Sequence, residues 1–241
     1  MILNIQSIGN GEETIVFLHT LLQSGINDFD EQANYFKEKY TVISPDLRGQ
    51  GKSISNQFDN YIEECASDLY ETLIKIDKKN VHLVGCSLGG LASIVFSKRY
   101  PEMVKTLTIS GVRQAKPLNW EKISEEEKTN AENILNDPQN VSYFDSLHPH
   151  NHWKELLESS FDPEWYPFEY TENLKGIDST ILVLVGEEAM DEVKSAIAYK
   201  EAHENVKIAI LPFAGHMVHH QQPSLYISVL DSFINSLSKS N

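Results

Sequence analysis

Short runs of Val, Ile and Leu alternate along this chain with longer stretches of helical period. The runs occupy residues 14–19, 40–46, 81–85, 105–110, 180–186 and 206–212. Continuous apolar runs of this length that end near Gly, Pro or Asp are typical of strands buried on both faces of a sheet. Between them, apolar residues recur at spacings of three and four, as at Tyr61, Cys65, Leu69 and Leu73. This alternation predicts an α/β fold with a mostly parallel, doubly wound sheet and helices on both faces.

Two segments depart from the alternation. Residues 2–8 are followed by the turn residues 9–11, which predicts one antiparallel edge strand. From residue 112 to residue 175 no strand pattern occurs, and such a segment is too long for a loop in a compact domain. We therefore predict a helical cap insertion at 112–175 that packs over one end of the sheet. The core domain would consist of residues 1–111 and 176–241.

The charge balance excludes some classes of partner. The 241 residues include 20 Lys and Arg against 35 Asp and Glu, a formal net charge of -15. Affinity for nucleic acids and for anionic membrane surfaces depends on clustered Lys and Arg. We therefore expect no nucleic-acid partner and no membrane partner, and instead a small-molecule substrate.

The N-terminus and the cysteines bear on the compartment. The first residues lack both a basic region and a long apolar region, and no window approaches 18 apolar residues without a charge. Cys65 and Cys86 have no spacing typical of a metal site or a redox motif, which favours free thiols. We expect a cytoplasmic protein, either a monomer or a homodimer.

The segment Gly85-Cys86-Ser87-Leu88-Gly89 carries the strongest indication of chemistry. A G-x-S-x-G string arises by chance about 0.1 times in a chain of this length, but here a strand pattern precedes it and a helical pattern follows. A nucleophile elbow requires that context, because small neighbours let the backbone turn sharply and hold the serine in a strained conformation. Ser87 is therefore the candidate nucleophile. The alternative is a serine helix cap between glycines.

A serine hydroxyl needs a base to take its proton. Of the nine histidines, His216 directly follows the last strand pattern. Because the carboxyl ends of parallel strands meet at one edge of a sheet, we expect His216 to lie near Ser87. The three histidines within residues 148–152 resemble a metal cluster, but no acidic ligand is interleaved with them. We predict no metal site and no cofactor.

Four segments together resemble the α/β-hydrolase fold superfamily: FLHTLLQSG, DLRGQGKS, LVGCSLGG and FAGHMVHHQQP. The resemblance extends from residue 14 to residue 237. It implies a serine, acid, histidine order along the chain and a cap domain at the place of residues 112–175. Ser87 excludes the dehalogenases and epoxide hydrolases of this fold, which use an aspartate at that place.

The same resemblance implies roles for two loops. The amides of Leu88 and Leu21 would form the oxyanion hole, and Thr20 stands where the family usually has glycine. Glycine adopts a positive φ more cheaply than threonine does. Arg48 would make buried salt bridges or hydrogen bonds in a structural turn near the site.

More than one residue is a candidate for the acid of the triad. The family commonly places it at the position that Ala189 occupies here, and alanine cannot orient a histidine. Glu187, Glu188 and Asp191 lie nearby. We choose Asp191, because residues 191–193 reproduce the usual sequence after the acid if the loop holds two extra residues. Glu188 is the alternative, and a further alternative is an incomplete triad.

Aromatic residues are dense in the predicted cap. From them we expect Trp153, Trp165, Tyr143 and Phe144 to bind the substrate. A surplus of aromatic side chains above the nucleophile favours a compact apolar ester. The predicted function is a carboxylesterase-type serine hydrolase that acts through an acyl-enzyme. The alternatives are a ligand-binding or signalling protein with weak turnover, and a serine-triad C–C hydrolase or lactonase.

Overall fold

Seven strands within residues 1–238, the part of the chain that the computed structural model describes, form a single sheet. They are β1 (Ile5–Ile8), β2 (Thr14–Leu18), β3 (Thr41–Pro45), β4 (Val81–Cys86), β5 (Val104–Ser110), β6 (Thr180–Gly186) and β7 (Val206–Leu211). Their order in the sheet is β1-β3-β2-β4-β5-β6-β7. β1 pairs antiparallel with β3, and every other pair of neighbouring strands is parallel. The predicted α/β class with a mostly parallel sheet is confirmed.

Helices connect the strands. They are α1 (Asp30–Phe36), α2 (Tyr61–Lys75), α3 (Leu88–Arg99), α4 (Trp120–Asn136), α5 (Pro138–Leu147), α6 (Trp153–Ser159), α7 (Phe168–Thr171), α8 (Met190–Ala202), α9 (Val218–Gln221) and α10 (Pro223–Ser238). Within the described residues, no helix has both the length and the apolar character that crossing a membrane requires.

Strand β2 shows why a buried parallel strand is apolar without alternation. Successive side chains of a strand point to opposite faces of the sheet. Val16 and Leu18 belong to the core cluster that includes α2 and α3, whereas Ile15 and Phe17 belong to the cluster that includes α1 and α10. All residues of β2 are buried. Helices on both faces therefore explain the continuous apolar run.

The DLRGQGKS segment forms a buried polar turn after β3. Arg48 donates from Nε to Asp68 Oδ2 at 2.8 Å and from Nη2 to Glu64 Oε2 at 2.6 Å. Asp46 Oδ1 accepts a hydrogen bond from the amide of Gly25 at 2.9 Å. The polar contacts expected of Arg48 are present, and they join this turn to α2, while Asp46 joins it to the loop after β2.

The segment between β5 and β6 contains helices α4 to α7 and, as far as the structure describes the chain, no strand. A small apolar cluster joins it to the loop after β2, because Ala131, Trp153 and Leu157 pack together with Leu22. The helices of this segment therefore lie over the carboxyl edge of the sheet. The division into a core domain and a cap domain stays a prediction.

His148 links the same segment to two core loops. Its Nδ1 accepts a hydrogen bond from the amide of Gly51 at 2.8 Å, and its Nε2 lies 3.2 Å from the carbonyl oxygen of Leu22. An amide only donates and a carbonyl only accepts, so the ring is neutral with its proton on Nε2. Burial lowers the pKa of His148 to about 4.

Replacing His148 by Gln should reduce the acid sensitivity of the fold. The folded-state pKa lies below the usual value of 6.5, so the unfolded chain takes up the proton first as the pH falls, and stability is lost between about pH 6.5 and pH 4. Glutamine offers the same acceptor and donor without titrating in this range. Between about pH 7 and pH 5, urea unfolding should show the wild type losing about 1–2 kcal/mol more than His148→Gln. Equal losses would contradict this role.

Both cysteines are free and buried. Burial raises the pKa of the Cys65 thiol to about 12 and raises that of Cys86 well above its usual value. Because the thiolate is the reactive form, neither side chain is activated as a nucleophile.

The folded protein should therefore react only slowly with a disulfide reagent such as dithionitrobenzoate at mildly alkaline pH. Both thiols should react at once when the chain is unfolded in guanidinium chloride, since unfolding restores water access and an ordinary pKa. The released chromophore measures each rate. Rapid reaction of one thiol in the native protein, lost in Cys86→Ala, would instead identify Cys86 as an accessible thiolate.

Candidate active site

Ser87 occupies a sharp turn between β4 and α3. Its backbone angles, φ 52° and ψ -118°, lie in a region that residues other than glycine rarely adopt. Glycine is needed on both sides of it. A Cβ at Gly89 would lie 2.0 Å from the carbonyl oxygen of Leu18, and a Cβ at Gly85 would lie 2.2 Å from that of Gly89. This is the strand-to-helix geometry that a nucleophile elbow requires.

Leu88 and Leu21, the two expected oxyanion donors, border the same cavity as Ser87. Leu88 begins α3, and the first amides of a helix have no carbonyl partner within it. Leu21 lies in the loop after β2. In that loop the positive φ occurs at Leu22, with a value of 61°, and not at Thr20. The threonine is therefore accommodated without left-handed backbone at its own position.

The carboxylate that contacts His216 is that of Glu192. Its Oε1 lies 2.6 Å from Nδ1 of His216, and Glu192 is only 5% exposed. The expectation that Asp191 makes this contact is wrong, because Asp191 Oδ1 accepts instead from Lys194 Nζ at 3.1 Å near the surface. The alternative acid, Glu188, is exposed and does not contact the ring either.

Helix α8 explains the difference. Its buried residues are Glu192, Ser195, Ala196 and Tyr199, which follow the i, i+3, i+4, i+7 spacing of a single helix face. Asp191 is rotated from that face by about 100°. The small and aromatic residues in phase with Glu192 were the signal available in the sequence. Counting residues from the end of the preceding strand pattern selected Asp191 instead, on the assumption that the acid lies in the loop after the strand.

Gly111 lies between the ring of His216 and the backbone of Ser87. Its φ is 66°, and a Cβ there would lie 2.9 Å from Cε1 of His216 and 2.9 Å from the backbone nitrogen of Ser87. The imidazole and the elbow therefore approach each other across a residue that has no side chain. A substituent at Gly111 would have to displace one of them.

A cavity of about 380 Å³ is bordered by both Ser87 and His216. Of the four aromatic residues expected there, Trp165 borders it and the other three do not. Trp153 is buried in the small cluster beside Leu22, with Phe144 packed against it, and Tyr143 is 51% exposed. The expectation for Trp153, Tyr143 and Phe144 is wrong, because the short helices that carry them turn these side chains into their own core or toward solvent.

Other aromatic residues of the same segment border the cavity instead. They are Trp120, Phe161 and Tyr166. Arg113 borders the same side of the cavity. Its guanidinium lies 5.7 Å from the centre of the Trp120 ring, and its Nη1 lies 3.2 Å from Glu127 Oε1. Opposite charges are therefore paired at this wall.

A second cluster of titratable groups lies beside the loop after β2. Asp28 Oδ1 accepts from Nε2 of His219 at 3.1 Å and from Nε2 of His220 at 2.7 Å, and Oδ2 accepts from the amide of Thr20 at 2.7 Å. These three could offer atoms to a metal ion, but donors already occupy both carboxylate oxygens. Within the described residues, the histidines of the segment 148–152 form no such cluster.

Comparison with known proteins identifies the family of this chain. A model of the family described as alpha/beta hydrolase fold matches residues 13–167. The chain is 31% identical over 113 residues to the serine hydrolase BPHL of Mus musculus, an alignment that covers 45% of this chain and 39% of the length of that relative.

Solved structures give a likeness over the whole fold. NosK from Streptomyces actuosus superposes with a TM-score of 0.81 at 21% identity, covering 93% of this chain and 98% of that one. A thermophilic esterase from Thermogutta terrifontis superposes with a TM-score of 0.71 at 18% identity, covering 97% and 93%. At these identities the likeness concerns the fold.

Proposed function

We propose that this chain, which belongs to the alpha/beta hydrolase fold family, is a serine hydrolase that cleaves small carboxylic esters through an acyl-enzyme. One observation carries the proposal. The strained Ser87 borders one cavity at the carboxyl edge of the sheet together with His216, whose ring Glu192 contacts. The relatives named as a serine hydrolase and as an esterase agree with this reaction class.

The hydrogen bond to Glu192 supports His216 as the base. An ionised carboxylate only accepts hydrogen bonds, so Nδ1 carries the proton and Nε2 keeps a free lone pair. That lone pair would take the proton of Ser87 Oγ as the hydroxyl attacks a carbonyl carbon. In the described part of the chain no hydrogen bond yet joins the two side chains, a contact that often tightens only when substrate binds.

After the attack, the reaction proceeds as ordinary acyl transfer to water. The carbonyl oxygen becomes an oxyanion that the amides of Leu88 and Leu21 stabilise. His216 then protonates the leaving alcohol, which departs and leaves an ester between the acyl group and Ser87. Water, deprotonated by His216, attacks this ester and releases the carboxylic acid. Glu192 stabilises the imidazolium form at each transfer.

The cavity favours a compact, uncharged substrate. Its walls include the apolar side chains of Leu91, Ile134 and Leu157, and its volume of about 380 Å³ is at the lower end of the range for small-molecule sites. The charge of Arg113 is already paired with Glu127. Short acyl chains and aryl groups therefore fit this cavity better than long chains or polyanions.

A fluorophosphonate probe should label the folded protein at Ser87, and p-nitrophenyl esters with short acyl chains should be hydrolysed. Peptide mapping locates the label, and Ser87→Ala should lose both label and turnover. We expect kcat/KM to fall as the acyl chain lengthens, because the cavity is small. Absence of labelling in the folded wild-type protein would contradict the proposal. Labelling without ester hydrolysis would redirect it to another serine-dependent substrate.

Glu192→Gln should lower kcat by about 10³- to 10⁴-fold, because a neutral amide stabilises neither the required tautomer nor the imidazolium. Asp191→Asn and Glu188→Gln are matched controls and should change kcat little, since neither side chain contacts the ring. Steady-state kinetics on one activated ester measures all three, with thermal unfolding to verify the fold. Full activity of Glu192→Gln beside an inactive Asp191→Asn would return the role to Asp191.

A further inference from the structure

Three consecutive amides of the loop after β2 differ in their partners. Thr20 N donates to Asp28 Oδ2 at 2.7 Å, and Leu22 N donates to Gln50 Oε1 at 2.6 Å. Between them, the amide of Leu21 has no hydrogen-bond acceptor among residues 1–238. Leu21 also borders the candidate active-site cavity. The unpaired amide of a cavity-lining residue thus stands between two amides that are held.

Asp28 is suited to hold a backbone amide. Its side chain is fully buried, and its second oxygen accepts from His219 and His220. Burial opposes the charged form, but the hydrogen bonds from the two histidines hold the pKa of Asp28 far below its usual range. An ionised carboxylate forms stronger hydrogen bonds than a neutral acceptor does. The Thr20 amide is therefore firmly fixed.

Gln50 holds the amide on the other side. It is fully buried, and its Nε2 donates to Tyr61 Oη at 3.1 Å, which leaves Oε1 directed at the amide of Leu22. The carbonyl of Leu22 in turn lies 3.2 Å from His148 Nε2. Leu22, whose φ is positive, is thus held at both its amide and its carbonyl.

The peptide plane that contains the Leu21 amide is held as well. Its carbonyl belongs to Thr20 and lies 2.7 Å from His19 Nδ1. His19 Nε2 accepts a hydrogen bond from the amide of Leu47 at 2.8 Å, so the proton of this neutral ring is on Nδ1 and is donated to the Thr20 carbonyl. With this carbonyl fixed, the Leu21 N–H on the opposite side of the plane has one direction available.

We propose that Asp28 and Gln50 are positioning residues that fix the Leu21 amide as the second oxyanion donor. The inference rests on the proposed function, because an oxyanion forms only if Ser87 attacks a carbonyl. Preorganised donors stabilise a transition state because they need no reorganisation as charge develops. Loss of the hydrogen bond to the Thr20 amide or to the Leu22 amide would let the backbone around Leu21 N move. The Leu21 amide would then have to reorient as charge develops.

Asp28 also contacts the loop that carries the proposed base, through His219 and His220. The experiment must separate this effect from the effect on Leu21. His219 lies three residues after His216, so loss of the Asp28 carboxylate disturbs the loop of the proposed base as well as the oxyanion loop. Gln50 contacts the oxyanion loop but not the loop of His216. Variants at Gln50 therefore isolate the effect on Leu21.

The test compares Gln50→Met, which keeps the side-chain length without the acceptor, with Gln50→Glu. A buried glutamic acid is protonated and offers the same acceptor and donor as glutamine. On an activated ester, kcat of Gln50→Met and of Asp28→Asn should fall about 10- to 100-fold, less than the loss of a whole donor, with KM within about threefold. Gln50→Glu should retain kcat within about threefold of the wild type.

A pair of inhibitors gives a readout that a merely structural role would not move. An aryl trifluoromethyl ketone adds to an active-site serine and presents an oxyanion, whereas the matching methyl ketone binds without forming one. In Gln50→Met, the inhibition constant of the trifluoromethyl ketone should rise by the same factor as kcat falls. That of the methyl ketone should stay unchanged, because ground-state binding does not use the Leu21 amide.

Thr41→Val is the matched control. It removes a side-chain hydrogen bond to a backbone carbonyl, that of Gly11 at 2.7 Å, far from the cavity, and should leave kcat and both inhibition constants unchanged. Equal losses for the two ketones, or an unchanged kcat in a folded Gln50→Met, overturn the inference while leaving the proposed hydrolysis intact. A wild-type protein with neither label at Ser87 nor ester turnover overturns both. If Asp28→Asn does not fold, the two Gln50 variants decide.

Discussion

The site depends on one close approach between helix α3 and strand β2. A Cβ at Gly89 would lie 2.0 Å from the carbonyl oxygen of Leu18 and 2.9 Å from that of His19. The helix therefore contacts the backbone of β2 at the point where the strand passes into its loop. Leu88 begins the helix, and Leu21 follows the strand. The missing side chain therefore brings the two proposed oxyanion amides to one cavity, beside a serine whose strained angles the same packing maintains.

Parallel pairing supplies the rest of the site. The loops after β2, β4, β5 and β7 all leave the carboxyl edge of the sheet, and each contributes a residue that borders the cavity. The polar turn after β3 is the least direct contributor. Its Gln50 and the amide of Leu47 act on the loop after β2 through Leu22 and His19. A motif without bond-making chemistry of its own thus shapes the site through backbone amides.

The sequence predicted what depends on local period and on the edge of the sheet. The apolar runs predicted the parallel strands, and the chain order placed Ser87 and His216 at one edge, where both border a single cavity. Glu192 was missed because its role depends on the phase of α8, which counting from a strand end does not report. Trp153 was misassigned because composition cannot tell a side chain that fills a small core from one that faces a cavity.

Glu192 on α8 also ties the proposed base to the segment above the sheet. Glu192, Ser195 and Tyr199 share the buried face of the helix. Ser195 Oγ accepts from the amide of Gln114 at 2.9 Å near the start of that segment, and Tyr199 Oη donates to the carbonyl of Thr171 at 2.6 Å near its end. One face of α8 therefore contacts His216 and also holds both ends of the segment between β5 and β6. An acid in the loop before α8 could orient the ring without these contacts between α8 and the segment above the sheet. Because Glu192 lies on the helix, the alignment of the proposed base depends on how that segment packs against α8.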